Sequence, residues 1–299
     1  SVDSIRKYYN YNNPRDTIFF KDVWKEFKNE FALVLFPEKY NQNQYLKTGI
    51  GLQLMKGLVT NTQAFHNIYL VGEYRNTTRN KRWDIEANGQ LYLNGYNSGD
   101  YNASIKMNAL FGTKNGIEIG FENCNQSPSF VFNDSSNFPL LPANASFKKE
   151  NITHLSATIK TKFNIILSGN YYLINNYIYW DSFYHASQSN VLVNVLHLSA
   201  EKKFKLSKHW NIYSEIHLQQ ATENLINLPI IYTRQRIVFE GNFFKNLNMA
   251  TGLDIRYFTP FKADNYSPLT GQFFLQEQTI ISNRPDIAAF FHFRIKGFN

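Results

Sequence analysis

The chain of 299 residues has a formal net charge of +8 and a mean hydropathy of −0.40, values typical of a water-soluble protein. Its 26 Phe and 19 Tyr are nevertheless far more than a water-facing surface needs. No segment approaches the roughly 18 consecutive apolar residues that a membrane-spanning helix requires, which argues against a helical membrane protein. The single cysteine, Cys124, excludes an internal disulfide.

The basic residues do not form the pattern of a nucleic-acid-binding surface. Lys and Arg are scattered singly at strand ends and in turns, and are not gathered into one stripe with interleaved aromatic residues. We therefore expect no nucleic-acid partner. No charged and then apolar export segment begins the chain, so for a secreted protein we expect that a signal peptide was removed before Ser1.

The first 29 residues lack a clear strand pattern, and residues 8–14 are rich in Tyr and Asn. We predict that residues 1–29 form an irregular or partner-bound segment and that residues 30–299 form the folded domain.

Further along, the chain alternates apolar and polar residues almost without a break. Ile85 and Leu91 fall on one face of an extended strand, and Glu86 and Asn88 fall on the other. After a Gly-containing turn the alternation resumes over residues 99–111, which predicts a long hairpin. Each run is about ten residues long, near the length that a tilted strand needs to cross the hydrocarbon layer.

The same alternation predicts about fourteen strands along the chain. They cover residues 30–37, 45–56, 66–75, 81–93, 99–111, 115–124, 153–160, 165–174, 189–200, 209–220, 229–240, 246–258, 271–281 and 286–296. Short connections at 76–80, 112–115 and 241–245 alternate with long ones at 125–152, 175–188 and 259–270. We predict an all-β fold, a transmembrane antiparallel β-barrel of about 14 strands (14–16), with short periplasmic turns and long extracellular loops. A soluble β-sandwich is the alternative fold.

The number of strands conflicts with the expected position of the chain end. Fourteen strands leave the last one on the long-loop side, whereas a bacterial barrel normally returns both ends to the short-turn side. Either one predicted strand is a loop, with 271–281 the first suspect, or the chain lacks a closing hairpin.

Four short phrases occur in order within residues 65–296. They are Asn125-Gln126-Ser127-Pro128-Ser129-Phe130, Ile174-Asn175-Asn176-Tyr177-Ile178-Tyr179, Arg256-Tyr257-Phe258-Thr259 and Tyr266-Ser267-Pro268-Leu269-Thr270-Gly271-Gln272-Phe273. Together they resemble the porin family of Bacteroidota outer membranes, which implies a barrel in the bacterial outer membrane. In that family the stretch similar to residues 293–296 leads into an Arg-rich turn and a final hairpin. This sequence stops at Asn299 instead, so we expect the closing hairpin to be missing.

The polar faces of the predicted strands supply the candidate pore-lining residues. These are Asp84, Glu86, Asn88, Lys106, Glu118, Glu122, Lys160, Arg234, Arg236, Asp254, Arg256, His292 and Arg294. Arg234 and Arg236 stand out because two guanidinium groups at positions i and i+2 make a positive ladder that could line an anion path. The alternative is that the charges pair between neighbouring strands and brace the wall.

The sequence offers no catalytic or metal site. Five of the seven histidines fall on different predicted strands without a close-spaced pair of metal ligands, so we expect solvated or wall histidines and no metal or cofactor. No serine nucleophile elbow, zinc-binding helix or phosphate loop is found. Glu118 and Glu122 share a strand face but lie roughly 13 Å apart, too far for a hydrolytic carboxylate pair. We therefore predict that the protein is not an enzyme.

The longest loop is too apolar to be simply solvated. Residues 126–149 contain three Pro and four Phe, namely Phe130, Phe132, Phe138 and Phe147. We predict that this loop folds inward and constricts the lumen, or that it forms a docking surface for another outer-membrane or cell-surface protein. The loop 259–272, also rich in aromatic residues, supports either choice.

Two functions of different class follow. The first is a passive channel for small hydrophilic solutes, biased toward anions by lumen Lys and Arg. The second is an occluded barrel that serves as a structural or accessory subunit of a larger outer-membrane complex. The expected partners are outer-membrane lipid and lipopolysaccharide, together with surface proteins that contact the long loops.

Overall fold

The computed structural model describes residues 22–59, 61–112, 115–133, 135–136, 146–183, 185–243, 247–268 and 271–295. The strands are β1 (Val23–Leu35), β2 (Gln44–Leu58), β3 (Thr62–Thr77), β4 (Trp83–Gly95), β5 (Tyr101–Phe111), β6 (Asn115–Gln126), β7 (Glu150–Lys160), β8 (Ile165–Asn175), β9 (Ile178–Trp180), β10 (Ala186–Gln188), β11 (Val193–Lys205), β12 (Trp210–Ala221), β13 (Ile231–Phe243), β14 (Leu247–Phe258), β15 (Phe261–Lys262), β16 (Asn265–Ser267), β17 (Gln272–Phe274), β18 (Ile280–Ile281) and β19 (Asp286–Ile295). A 3-10 turn, η1 (Phe130–Phe132), lies in the loop after β6. No helix in the described ranges is long and apolar enough to cross a membrane.

Thirteen strands form one antiparallel sheet in the order β1-β2-β3-β4-β5-β6-β7-β8-β11-β12-β13-β14-β19. They contain between 10 and 16 residues each. About nine to eleven residues suffice for a tilted strand to cross a bilayer, so every one of them is long enough. In this order each strand is hydrogen-bonded to its neighbours, so β1 and β19 are the two end strands. Among the described residues no backbone hydrogen bonding pairs β1 with β19.

The connections differ between the two ends of this sheet. One end, the short-turn end, has the connections 36–43, 78–82, 112–114, 161–164, 206–209 and 244–246. The other, the long-loop end, has 59–61, 96–100, 127–149, 176–192, 222–230 and 259–285, including the three longest. The six short strands of the fold all belong to two of these long loops. The residues outside the sheet are therefore concentrated at one end of it.

The two faces of the sheet differ in polarity. On the face that carries Ile105, called the outer face here, large apolar side chains are widely exposed, including Phe31 (69%) and Leu198 (43%). The opposite face, called the polar face, carries most of the charged and amide side chains and includes Glu86. Alternation along each strand and direct pairing between strands keep each set on one side across all thirteen strands.

Gly95 ends β4 where the β3–β4 register shifts between Ile68 and Tyr69. Its φ is +107°, and a Cβ there would lie 1.8 Å from the carbonyl oxygen of His66. Only glycine accommodates both the left-handed backbone and this close approach.

Two expectations from the sequence are wrong. Residues 23–29 are not irregular, because β1 begins at Val23 and pairs with β2 along its whole length; residues 1–21 lie outside the described residues. The segment 271–281 is not a strand of the large sheet. It contains only the short strands β17 and β18, which pair within the loop 259–285. The large sheet therefore has thirteen described strands, where the alternation predicts about fourteen.

Candidate functional site

The structure places all thirteen predicted lining residues on the polar face. Cross-strand pairs connect them: Asp84 lies opposite Asn108, which lies opposite Glu118, and Arg234 lies opposite Arg256. Because directly paired residues share a face, one surface collects charged side chains from β4 to β19. The strands that carry the predicted residues are β4, β5, β6, β7, β13, β14 and β19.

Arg234 and Arg236 are engaged by carboxylates, and do not form the unpaired ladder that their spacing suggests. Nε of Arg234 donates to both carboxylate oxygens of Asp254, at 3.0 and 3.1 Å, and Nη2 of Arg256 donates to the same carboxylate at 3.4 Å. Nη2 of Arg236 donates to Glu215 Oε1 at 3.3 Å. We call these five residues the arginine–carboxylate ladder. It links β12, β13 and β14 and neutralises much of the positive charge of Arg234 and Arg236.

Similar pairing occurs on the earlier strands. Nζ of Lys106 lies 2.7 Å from Glu118 Oε1, which joins β5 to β6. Lys47 and Glu30, neither of them predicted, are 2.8 Å apart between β2 and β1. The residues predicted from the sequence do not include Glu215, Lys47 or Glu30. The register shows them, since each lies on the same face as a predicted residue.

A row of imidazole and amide groups crosses four neighbouring strands of the polar face. Nε2 of His154 on β7 lies 3.0 Å from Oδ1 of Asn170 on β8, and Nδ2 of Asn170 lies 3.4 Å from Nδ1 of His197 on β11. Nε2 of His197 lies 3.0 Å from Nδ1 of His217 on β12. We call these four residues the histidine row. Strand pairing brings His197 and His217 together although they lie twenty positions apart in the sequence.

The loops at the long-loop end share a small aromatic core. Trp180, Ala186 and Phe274 are almost fully buried, and Phe132, Phe147 and other side chains pack against them. The ring centroids of Phe132 and Trp180 are 5.2 Å apart, and those of Phe132 and Phe147 are 5.7 Å apart. We call this group the loop cluster. It connects the loops 127–149, 176–192 and 259–285 and so orders much of the long-loop end.

Burial also affects a phenol near the loop cluster. The pKa of Tyr177, which lies in the loop 176–192, is raised above its ordinary value chiefly because burial disfavours the phenolate. The carboxylates of Asp264 and Glu150 raise it further. The phenol of Tyr177 is therefore neutral at physiological pH.

Phe130 crosses from the loop after β6 to the opposite part of the sheet. Its ring lies 4.6 Å from Trp24 of β1 and 6.1 Å from Phe65 of β3, and both of these rings belong to the polar face. Nearby, the hydroxyl of Ser136 donates to the carboxylate of Asp22 at 2.7 Å, just before β1. The described part of the loop therefore leans inward over the polar face of β1–β3. Phe138, predicted to belong to the same constriction or docking surface, lies outside the described residues.

The polar face can offer solutes hydrogen bonds and paired charges. Among the described residues, no group of three or more His, Cys, Asp and Glu is placed to hold a metal ion. The described chemistry is that of a polar wall with ion pairs, with apolar side chains on the face behind it.

The antiparallel sheet, its apolar outer face and its polar opposite face define the class: an outer-membrane protein of the β-barrel type. The chain belongs to the family described as "Putative porin", whose model matches residues 2–299. Its place is the bacterial outer membrane. No curated protein matches the chain significantly.

Solved outer-membrane structures share this fold. A mutant of the ferric enterobactin receptor PfeA from Pseudomonas aeruginosa aligns with a TM-score of 0.67 and 11% identity, over 96% of this chain and 48% of that chain. The siderophore receptor PirA from Pseudomonas aeruginosa aligns with a TM-score of 0.58 and 12% identity, over 80% and 48%. The copper transporter OprC aligns with a TM-score of 0.64 and 11% identity, over 90% and 47%. At these identities the likeness concerns the fold alone, and the chain spans about half the length of each protein.

Proposed function

We propose that this protein is a porin-like passive channel for small hydrophilic solutes. The observation that carries the proposal is the polar face, which continues across all thirteen strands behind a predominantly apolar outer face. A sheet of this kind in a membrane turns its apolar side to lipid and its polar side to water. The outer-membrane lipid and lipopolysaccharide are then the proposed partners of the outer face.

The pairing of charges leaves the proposed channel with little preference between anions and cations. Arg234, Arg236 and Arg256 contribute three positive charges, and the three carboxylates of Asp254, Glu215 and Asp286 lie within ion-pair distance of them. A solute passing this part of the wall therefore meets a surface of nearly balanced charge, and physiological salt screens what remains. The proposed channel therefore discriminates little between small ions of either sign or among neutral hydrophilic solutes.

Single-channel recording in a planar bilayer tests this proposal. Steady open steps with a reversal potential near zero in a salt gradient are expected, and Arg234→Ser with Arg236→Ser should shift that potential toward cation preference, because it leaves three carboxylates against Arg256 alone. Lys56→Ser is the matched control, because Lys56 pairs with Lys25 on the outer face and should not influence permeating ions. Selectivity that stays the same in the double variant contradicts the assignment of the two arginines to the channel wall.

A second candidate function, an occluded barrel acting as a subunit of a larger outer-membrane complex, is supported by Phe130. Its ring packs on Trp24 and Phe65 of the polar face, so the loop carrying it narrows the long-loop end. The loop cluster then provides an ordered surface for another outer-membrane or cell-surface protein. We propose the long-loop end as the extracellular side, as in other barrels of this class.

Conductance also distinguishes the two candidates. A correctly folded barrel that carries no current favours the occluded subunit, and Phe130→Ala should then produce measurable openings if this ring closes the passage. Phe163→Ala is a suitable control, because Phe163 is 65% exposed in a turn at the short-turn end. In both candidates the role is transport or assembly and not catalysis, which stays a prediction.

A further inference from the structure

The histidine row is not needed for either proposed function, and its geometry suggests a ligand of its own. We propose that His197 and His217 bind a transition-metal dication such as Zn²⁺, Ni²⁺ or Cu²⁺, with Asn170 and His154 orienting the His197 ring. This proposal does not depend on an open lumen, because the residues lie on the polar face whether or not solutes pass.

The spacing of the two imidazoles suits a shared metal ion. His197 Nε2 and His217 Nδ1 are 3.0 Å apart. Two nitrogen ligands that each lie about 2.1 Å from one metal are about 3.0 Å apart at the roughly 90° angle of tetragonal Cu²⁺ and Ni²⁺ sites, and about 3.4 Å apart at the tetrahedral angle of Zn²⁺. The ring planes are within 5° of parallel and the two nitrogens face each other, so rotation of the rings about their Cβ–Cγ bonds would turn both lone pairs toward a common point beside them.

The groups behind His197 resemble the outer shell of a metal site. When His197 binds a metal through Nε2, its Nδ1 carries the proton and needs a hydrogen-bond acceptor. Asn170 lies there, 3.4 Å from Nδ1, with its amide nitrogen turned toward the ring. A 180° flip of this amide exchanges nitrogen and oxygen with little movement of other atoms and supplies the acceptor.

The same flip satisfies the next residue in the row. The amide nitrogen of Asn170 would then donate to His154 Nε2, whose present distance to the amide oxygen is 3.0 Å. The proton of His154 would move to Nδ1, which faces the Glu122 carboxylate at 4.0 Å. The result is a carboxylate–histidine–amide–histidine series leading to the metal, an arrangement that raises the basicity of the ligating imidazole.

The ligand set selects the class of ion. Imidazole nitrogens suit Zn²⁺, Cu²⁺ and Ni²⁺, whereas Mg²⁺ and Ca²⁺ prefer oxygen ligands. Within the described residues no third His, Cys, Asp or Glu joins the pair, so water or a solute would complete the coordination. Such a site is open and exchangeable, in contrast to a closed structural zinc site with four protein ligands.

Isothermal titration of the full chain, folded in detergent micelles, with ZnCl₂ tests the proposal. We expect one Zn²⁺ to bind per chain, with at least about tenfold weaker affinity in His197→Gln or His217→Gln. Asn170→Leu should also weaken the affinity about tenfold, since outer-shell groups typically change metal affinity 10- to 100-fold. His209→Gln is the matched control: Nδ1 of His209 hydrogen-bonds to the carbonyl oxygen of Glu240, away from the histidine row. The proposal is overturned if the wild-type protein does not bind Zn²⁺, or if both ligand variants bind it with the same affinity as the wild type.

A measurement on the wild-type protein tests the proposal even if the variants fail to fold. Electron paramagnetic resonance of the wild-type chain with one equivalent of Cu²⁺ should show superhyperfine coupling to two imidazole nitrogens. A spectrum with oxygen ligands alone would overturn the proposed site, whatever the variants do.

Discussion

Asp254 is the residue whose replacement should disturb the sheet wall most. Its side chain is 9% exposed and accepts hydrogen bonds from two guanidinium groups, Arg234 at 3.0 Å and Arg256 at 3.4 Å. Asp254→Asn removes the negative charge and leaves both arginines without their shared partner. Hydrogen bonds to charged groups contribute about 1.5–3 kcal/mol each, and breaking a fully buried ion pair costs about 3–5 kcal/mol.

Solvent reduces that cost here. The side chains of Arg234 and Arg256 are 30% and 43% exposed, so water solvates part of the charge that Asp254→Asn leaves unpaired. We therefore expect Asp254→Asn to lower the free energy of unfolding by about 2–3 kcal/mol. Urea-induced unfolding of the protein in detergent micelles, followed by tryptophan fluorescence, measures this value.

Arg234→Gln is the matched control for Asp254→Asn. It leaves Asp254 paired with Arg256, so the expected loss is smaller, about 1 kcal/mol. The reasoning is refuted if Asp254→Asn costs less than Arg234→Gln, or if neither variant changes the urea midpoint.

Two further predictions concern packing and membrane exposure. A Cβ at Gly51 would lie 2.0 Å from the ring of the fully buried Tyr69, so Gly51→Ala should lower the free energy of unfolding by about 1–3 kcal/mol. At Gly72 a Cβ meets nothing within 4 Å, so Gly72→Ala should be neutral or slightly stabilising. Urea unfolding in micelles compares the two variants. Ile105→Lys places a charge on the outer face in the middle of β5 and should make the free energy of folding into lipid vesicles less favourable by about 2–4 kcal/mol. Ser104→Lys places the same charge on the polar face and should fold normally. Equal folding yields of the two variants would contradict the assignment of the faces.

Alternation along single strands was enough to predict which face most charged residues occupy. A strand repeats every two residues whatever its partner, so the positions of Glu86 and Arg234 on the polar face follow from local sequence. The same reasoning failed at β1, where Lys25 and Asn29 interrupt the apolar series on the outer face. It failed again at 271–281, where an apolar segment pairs within a loop and not with the sheet.

Local periodicity determined the all-β fold, the strand lengths and the two-sided wall, because these depend on residues close together in the chain. Only the tertiary structure decided which side chains meet. The pairs His197–His217 and Arg234–Asp254 depend on the register of strands, and each joins residues twenty positions apart. The loop cluster joins three loops that are separated by complete strands. Register and loop packing are set by non-local hydrogen bonds and burial, so no single-strand pattern could specify these contacts.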